Sequence, residues 1–176
     1  MKIGVVGAGA WGTALANLLA RKGFAVDLWA FEKEVCEDIL ESRQNKWFLP
    51  NVALSENLVP SNDLDTVTSG KDMLLLVVPS HVFRSVAAQL VHHPTERTII
   101  VSASKGIEND THLTMTGILR QLLPPRLHPR IAALSGPSFA KDVAAGIPTA
   151  ITAAAADKTA AEKIQSTFAT PSFRVY

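Results

Sequence analysis

Cysteine is almost absent from this chain. Cys36 stands alone, which excludes an internal disulfide framework and suits a reducing cytosol. Aromatic residues are few, at 6%, with a single tyrosine. Charge is nearly balanced, at a formal +1, and no block of lysine and arginine occurs. That removes the electrostatic footprint of a nucleic-acid partner. No apolar stretch approaches the roughly 20 residues needed to span a membrane. Nothing repeats at a fixed period, no segment is low in complexity, and no metal site is expected. What remains is a globular composition, 47% hydrophobic and 19% charged over 176 residues, enough for one domain with at most a short appendage.

The most informative residues come first. An apolar run, Ile3 to Val6, leads into Gly7, Gly9 and Gly12, spaced G-x-G-x-x-G. An apolar helical pattern of Ala14, Leu15, Leu18 and Leu19 starts directly afterwards. Strand, glycine turn and helix in that order make an anion site. Gly7 permits the tight turn, Gly9 lets a pyrophosphate approach the backbone, and Gly12 lets helix and strand pack closely. The free N–H groups and positive dipole end of the helix then face the phosphates. A secretory leader is the competing reading, but three glycines would interrupt its apolar core, and Asn17 and Arg21 fall inside the helix.

The other strand candidates are also continuous apolar runs: 26–30, 73–78, 98–103, 131–134 and 150–154. Such runs suit strands buried on both faces, as in a parallel sheet covered by helices. Helices are expected over 13–22, 34–42, 81–91, 111–123, 139–145 and from 157 or 158 to about 168. Ser80, Asp110 and Ser138 are read as their caps where one is available. The alternating order predicts an α/β fold, a doubly wound, mostly parallel Rossmann-like sheet with right-handed crossovers. Residues 43–70 break the rhythm and are read as an insertion with a short helix near 64–69. Residues 173–176 read as one more strand, with no second domain after it.

Ligands of open α/β sheets lie against the carboxyl ends of the strands. After the second run come Phe31 and Glu32. Glu32 lies 20 residues beyond Gly12, about where a ribose-binding acid is expected. A carboxylate there accepts from ribose hydroxyls and repels a 2′-phosphate, which leans toward NAD and leaves NADP open. Phe31 would cover the adenine, with core packing as its alternative; that of Glu32 is a solvated helix start. The run at 73–78 ends in Pro79 and Ser80, with His81 and Phe83 beyond. Pro79, Ser80 and Phe83 are assigned to the cofactor side, and His81 is read as an ordinary first-turn residue. The run at 98–103 ends in Lys105-Gly106, where a lysine can meet a phosphate or a polarised carbonyl oxygen; an ordinary surface lysine is its alternative. The run at 131–134 leads to Gly136, Ser138 and a second helix start, which reads either as a second anion site by the same logic or as only a well-made helix start. Two helix starts and Lys105 on one crevice suggest a cofactor and a phosphorylated substrate.

Seven motifs occur in order: 7–16 around the glycines, Leu28-Trp29-Ala30-Phe31, Phe48-Leu49-Pro50-Asn51, Val78-Pro79-Ser80-His81, Ser104 to Glu108, Ser135 to Lys141 and Ser172 to Tyr176. Together they resemble the N-terminal, cofactor-binding half of NAD(P)-dependent glycerol-3-phosphate dehydrogenases, across essentially the whole chain. The resemblance implies interconversion of dihydroxyacetone phosphate and sn-glycerol 3-phosphate in the cytoplasm, feeding glycerophospholipid synthesis. It implies that Ala10, Trp11 and Ala140 contact the cofactor and that Phe31 lies against the adenosine. It also implies that Lys105 touches cofactor and substrate, and that Gly136 and Ser138 line the substrate phosphate.

Two departures stand out. Asp142 replaces the family's usual glutamate, and the helical C-terminal domain, which bears the family's proton-transferring lysine, has no counterpart. The chain is therefore expected to bind nucleotide and to be nearly inactive alone; a homodimer of the full-length enzyme stays open. Two other functions compete: a related two-domain hydroxy-acid or sugar-phosphate reductase, and a stand-alone NAD(H)-sensing module.

Overall fold

The computed structural model describes residues 1–176. Eight strands form one sheet: β1 (Lys2–Val6), β2 (Ala25–Trp29), β3 (Leu58–Ser61), β4 (Met73–Leu76), β5 (Ile99–Ser102), β6 (Ile131–Ser135), β7 (Thr149–Ala155) and β8 (Phe173–Val175). Their order across the sheet is β3-β2-β1-β4-β5-β6-β7-β8. The first six run parallel, in the doubly wound order expected. The helices are α1 (Ala10–Arg21), α2 (Lys33–Ser42), α3 (Leu64–Thr68), α4 (Ser80–Gln89), α5 (Met115–Leu122), α6 (Ala140–Ala144) and α7 (Lys158–Phe168).

Two cores result, one on each face of the sheet. Ile3 and Val5 of β1 pack with Leu15 and Leu19 of α1, Val35 and Ile39 of α2, and Ile164 and Phe168 of α7. Val6, Leu74 and Leu76 pack on the other side with Phe83 and Val86 of α4 and Ile118 and Leu119 of α5. Adjacent residues of one strand thus enter different cores, so no polar alternation is visible in the sequence. Gly4 belongs to this packing: a Cβ there would stand 2.1 Å from the Val67 carbonyl oxygen, because α3 lies directly on β1.

The sequence reading needs several corrections. Residues 43–70 contain a member of the sheet, since β3 pairs with β2 from Leu58 to Ser61. Pro60 obscured it; an edge strand tolerates a missing N–H that a central one cannot. The preceding residues 43–57 run along α1, where Asn17 donates to the Ala53 carbonyl (3.2 Å) and accepts from the Ser55 N–H (2.9 Å). The helix expected at 111 starts only at Met115, capped by Thr114, which accepts from the Gly117 N–H at 3.2 Å. Residues 107–114 instead close a loop, with Glu108 N–H bonded to the Leu113 carbonyl. Ser80 is the first residue of α4 rather than its cap, because extended Pro79 occupies that place. Ser138 caps nothing either; Phe139 precedes α6 without a side-chain bond.

The sheet changes direction at β7, which is antiparallel to β6. A parallel return would need a helix long enough to retrace the strand. The single turn of α6 rises only about 7.5 Å. No helix is long and apolar enough to cross a membrane.

Candidate functional site

The ends of β1, β4, β5 and β6 open onto one crevice of about 420 Å³. Its lining is Gly9 to Gly12, Val77 to Pro79, Ala103 to Lys105 and Ser138 to Ala140. Four separated stretches of sequence are therefore brought together, each at the carboxyl end of a strand.

Each glycine of the first loop does something different. Gly7 has φ +117°, a backbone conformation that side chains rarely adopt, and its N–H donates to the Trp29 carbonyl at 3.1 Å. Gly12 faces the turn so closely that a Cβ would lie 1.9 Å from the Gly7 carbonyl oxygen. Gly9 is the opposite case. Its φ of −65° is ordinary, and a Cβ would meet nothing within 4 Å. Nothing in the protein requires glycine at position 9, and the free space belongs to the crevice. The N–H groups of Gly9, Ala10, Trp11 and Gly12 donate to no protein acceptor, as the first turn of a helix requires. A half-buried cradle of free amides with room left above it fits a dinucleotide pyrophosphate.

Phe31 stands just past β2, 78% exposed, edge-on to Trp29 with ring centroids 6.0 Å apart. Glu32 is exposed at the start of α2, and its carboxylate makes no cap bond. Both carry free surface beside the strand whose end bonds Gly7. Lys105 reaches across the crevice: its Nζ donates to the Ser138 carbonyl at 3.3 Å. No carboxylate pairs with it, so its charge is available to an anion.

Other assigned residues sit less directly. Phe83 is fully buried in the core under β4 and has no surface to offer a ligand; its apolar ring made it resemble a lining residue in sequence. Ser80 does not line the crevice, but it abuts Gly106, where a Cβ would lie 3.1 Å from its hydroxyl oxygen. Gly136 lies behind the crevice against β7, with Ile151 Cα 3.0 Å from the site of a Cβ. Ser138 is buried. The second helix start is one turn long, which leaves it a minor source of aligned dipole. His81 is exposed and outside the lining.

Sequence reasoning missed the supports. The Arg84 guanidinium donates twice to Glu108, at 2.7 Å each, and once to Gln121 at 2.8 Å. Thr111 also donates to the Glu108 carboxylate. These bonds hold the Glu108 carboxyl down to about 2, from an ordinary 4.5, with the Arg84 bonds the chief cause. They fix the loop that follows Lys105. Beneath the glycine loop, fully buried Asn45 bonds the Ala8 carbonyl. Phe139, 70% exposed at the crevice, was also unforeseen. No local pattern marks Asn45 or Arg84, because their partners are 37 and 24 residues away.

Comparison with known proteins bears on the same residues. The family model described as NAD-dependent glycerol-3-phosphate dehydrogenase N-terminus matches residues 2–161. A glycerol-3-phosphate dehydrogenase (NAD(P)+) of Syntrophobacter fumaroxidans is 52% identical over 174 residues, 99% of this chain and 51% of that protein. One from Geobacter sulfurreducens is 49% identical over 175 residues, 99% of this chain and 52% of that protein. The crystal structure of glycerol-3-phosphate dehydrogenase from Coxiella burnetii superposes with a TM-score of 0.90 at 32% identity, over 99% of this chain and 53% of that one. The chain spans about half the length of the curated relatives it matches.

Proposed function

The chain belongs to the family of NAD-dependent glycerol-3-phosphate dehydrogenase N-termini, and on that footing we propose that its crevice binds NAD(H), with NADP(H) a weaker alternative. The observation that carries this reading is Gly9: a glycine where the fold leaves room for a side chain, among amides with no protein partner.

In this reading the Gly9–Gly12 amides take the pyrophosphate. Glu32 accepts from the adenine ribose, and Phe31 covers the adenine face. Trp11, Pro79 and Ala140 line the nicotinamide end. The bound cofactor supplies the hydride chemistry of a glycerol 3-phosphate and dihydroxyacetone phosphate interconversion. Lys105 serves the substrate, as a fixed cation for its phosphate or for the developing alkoxide, with Ser138 and Gly136 shaping the wall behind it. The Lys105 bond to the Ser138 carbonyl keeps the ammonium over the crevice when no anion is there. The product of that interconversion would feed glycerophospholipid synthesis in the cytoplasm.

Titrating the chain with NADH, NADPH and glycerol 3-phosphate while following thermal unfolding tests the reading. Ligand that binds only the native state raises the midpoint by mass action. NADH should give the largest rise and NADPH a smaller one. A midpoint unmoved by millimolar NADH and NADPH would remove the proposal.

A further inference from the structure

Asn45 is fully buried, with both amide hydrogens donated and its amide oxygen accepting one bond. Its Nδ2 donates to the Ala8 carbonyl and to the Thr13 hydroxyl oxygen, both at 2.8 Å, and its Oδ1 accepts from the Phe48 N–H at 3.0 Å. Thr13, also fully buried, donates its own hydroxyl to the same Ala8 carbonyl at 3.1 Å. One carbonyl thus accepts two side-chain bonds, from residues 32 positions apart. Burying two polar side chains this deeply is unfavourable unless each bond is made. A backbone oxygen in a turn could have been left to water.

The consequence lies on the other side of that peptide. The Ala8–Gly9 bond is trans, so its C=O and N–H leave opposite edges of one plane. Fixing the carbonyl toward Asn45 fixes the Gly9 N–H away from it, and nothing in the protein accepts that N–H. Gly9 lines the crevice; Asn45 and Thr13 do not.

We infer that Asn45, seconded by Thr13, is a positioning residue for pyrophosphate: it orients the Ala8–Gly9 peptide so that the Gly9 amide is presented to the ligand. This rests on the nucleotide reading of the crevice. The residue acts without touching the ligand, and it makes the segment after α2, where Asn45 accepts the Leu49 N–H at 2.9 Å, part of the binding apparatus. Its selectivity follows: the effect concerns the diphosphate and not the adenosine.

The test compares ADP-ribose, which carries the pyrophosphate, with adenosine, which lacks it. Asn45→Asp keeps the acceptor for Phe48 and removes both donors. Loss of two ordinary hydrogen bonds should weaken ADP-ribose at least about fivefold, with adenosine affinity unchanged. A folded Asn45→Asp that binds ADP-ribose within about twofold of wild type, or that loses adenosine equally, overturns the inference. Where Asn45→Asp fails to fold, Thr13→Val against Thr13→Ser decides. ADP-ribose loss in the valine variant with recovery in the serine variant supports the inference, and equal affinities in the two overturn it. Gly9→Val separates this from the reading beneath it: undiminished ADP-ribose binding there sinks the crevice assignment itself, whatever Asn45 does.

Discussion

Two loops form opposite walls of the crevice, and they are held by different physics. The glycine loop is fixed by neutral contacts without exposure: Gly12 against the Gly7 carbonyl, and Asn45 and Thr13 on the Ala8 carbonyl. The lysine loop is fixed by charge near the surface. Arg84 and Glu108, with side chains 35% and 14% exposed, clamp it from behind, while Lys105, Gly106 and Ile107 are exposed. Salt and pH reach the second wall and not the first. That division suits the proposed ligands: a pyrophosphate read by backbone amides needs them immobile, whereas an exposed cation on a charge-clamped loop meets a small substrate from the solvent side.

The largest effect should come from the first wall. Gly12→Ala sets a methyl group 1.9 Å from a backbone oxygen, so strand or helix must move. Overpacking of this kind costs about 3 kcal/mol or more, which lowers Tm by roughly 6–12 °C in a chain of this length. A Gly12→Ala protein melting with the wild type would show that the turn is not held as tightly as its contacts indicate.

Gly9→Ala is the sharper partner of that experiment. The added methyl meets nothing, and at φ −65° the substitution is conformationally ordinary. Stability should stay level or rise by about 0.4–1 kcal/mol through the unfolded state. NADH affinity should nevertheless fall by about tenfold or more, the methyl filling the space the diphosphate needs. Calorimetry and a melt on one sample settle both halves, and joint loss of stability and binding would erase the contrast between the two glycines.

These glycines also show what can be read without a structure. The roles of Gly7 and Gly12 were legible because the motif encodes backbone constraints within a few residues. The parallel sheet was legible because strands buried on both faces must be apolar throughout, as 73–76 are. Lys105 was legible as a cation at a strand end. Strand β3 was not, since Pro60 contradicts a strand unless its place at the edge is known. Phe83 was misplaced because apolarity near a strand end does not say which side of the sheet a ring enters. Asn45 and Arg84 were invisible because the bonds that tie them to the crevice walls go to partners distant along the chain.

The second wall should respond to acid. Glu108 has a native value of about 2 against an ordinary 4.5. The unfolded chain therefore takes up the proton first. The contribution of Glu108 is complete above pH 4.5, declines as pH falls, and is gone near pH 2. Glu108→Gln should be less stable than wild type by a constant margin at neutral pH, and that margin should close through this window. Denaturation midpoints at several pH values check it; a margin that persists at the acid end would place the effect of Glu108 in packing rather than charge.

Salt should give the smallest effect and the cleanest separation of the walls. Between about 0.1 M and 1 M ionic strength the screening length falls from roughly 10 Å to 3 Å. The attraction between Arg84 and Glu108 is partly exposed and must weaken, although their 2.7 Å bidentate geometry keeps it from vanishing. The deficit of Glu108→Gln should shrink over that range. The deficit of Thr13→Val should not, because the bonds it removes are neutral and fully buried. Urea midpoints suit the measurement, since the denaturant adds no ions of its own. Equal salt sensitivity in the two variants would mean that the walls are not held independently, and that disturbing one loop is transmitted to the other, most directly through the strand ends where Ala103 N–H and the Ser104 hydroxyl both bond the Leu76 carbonyl.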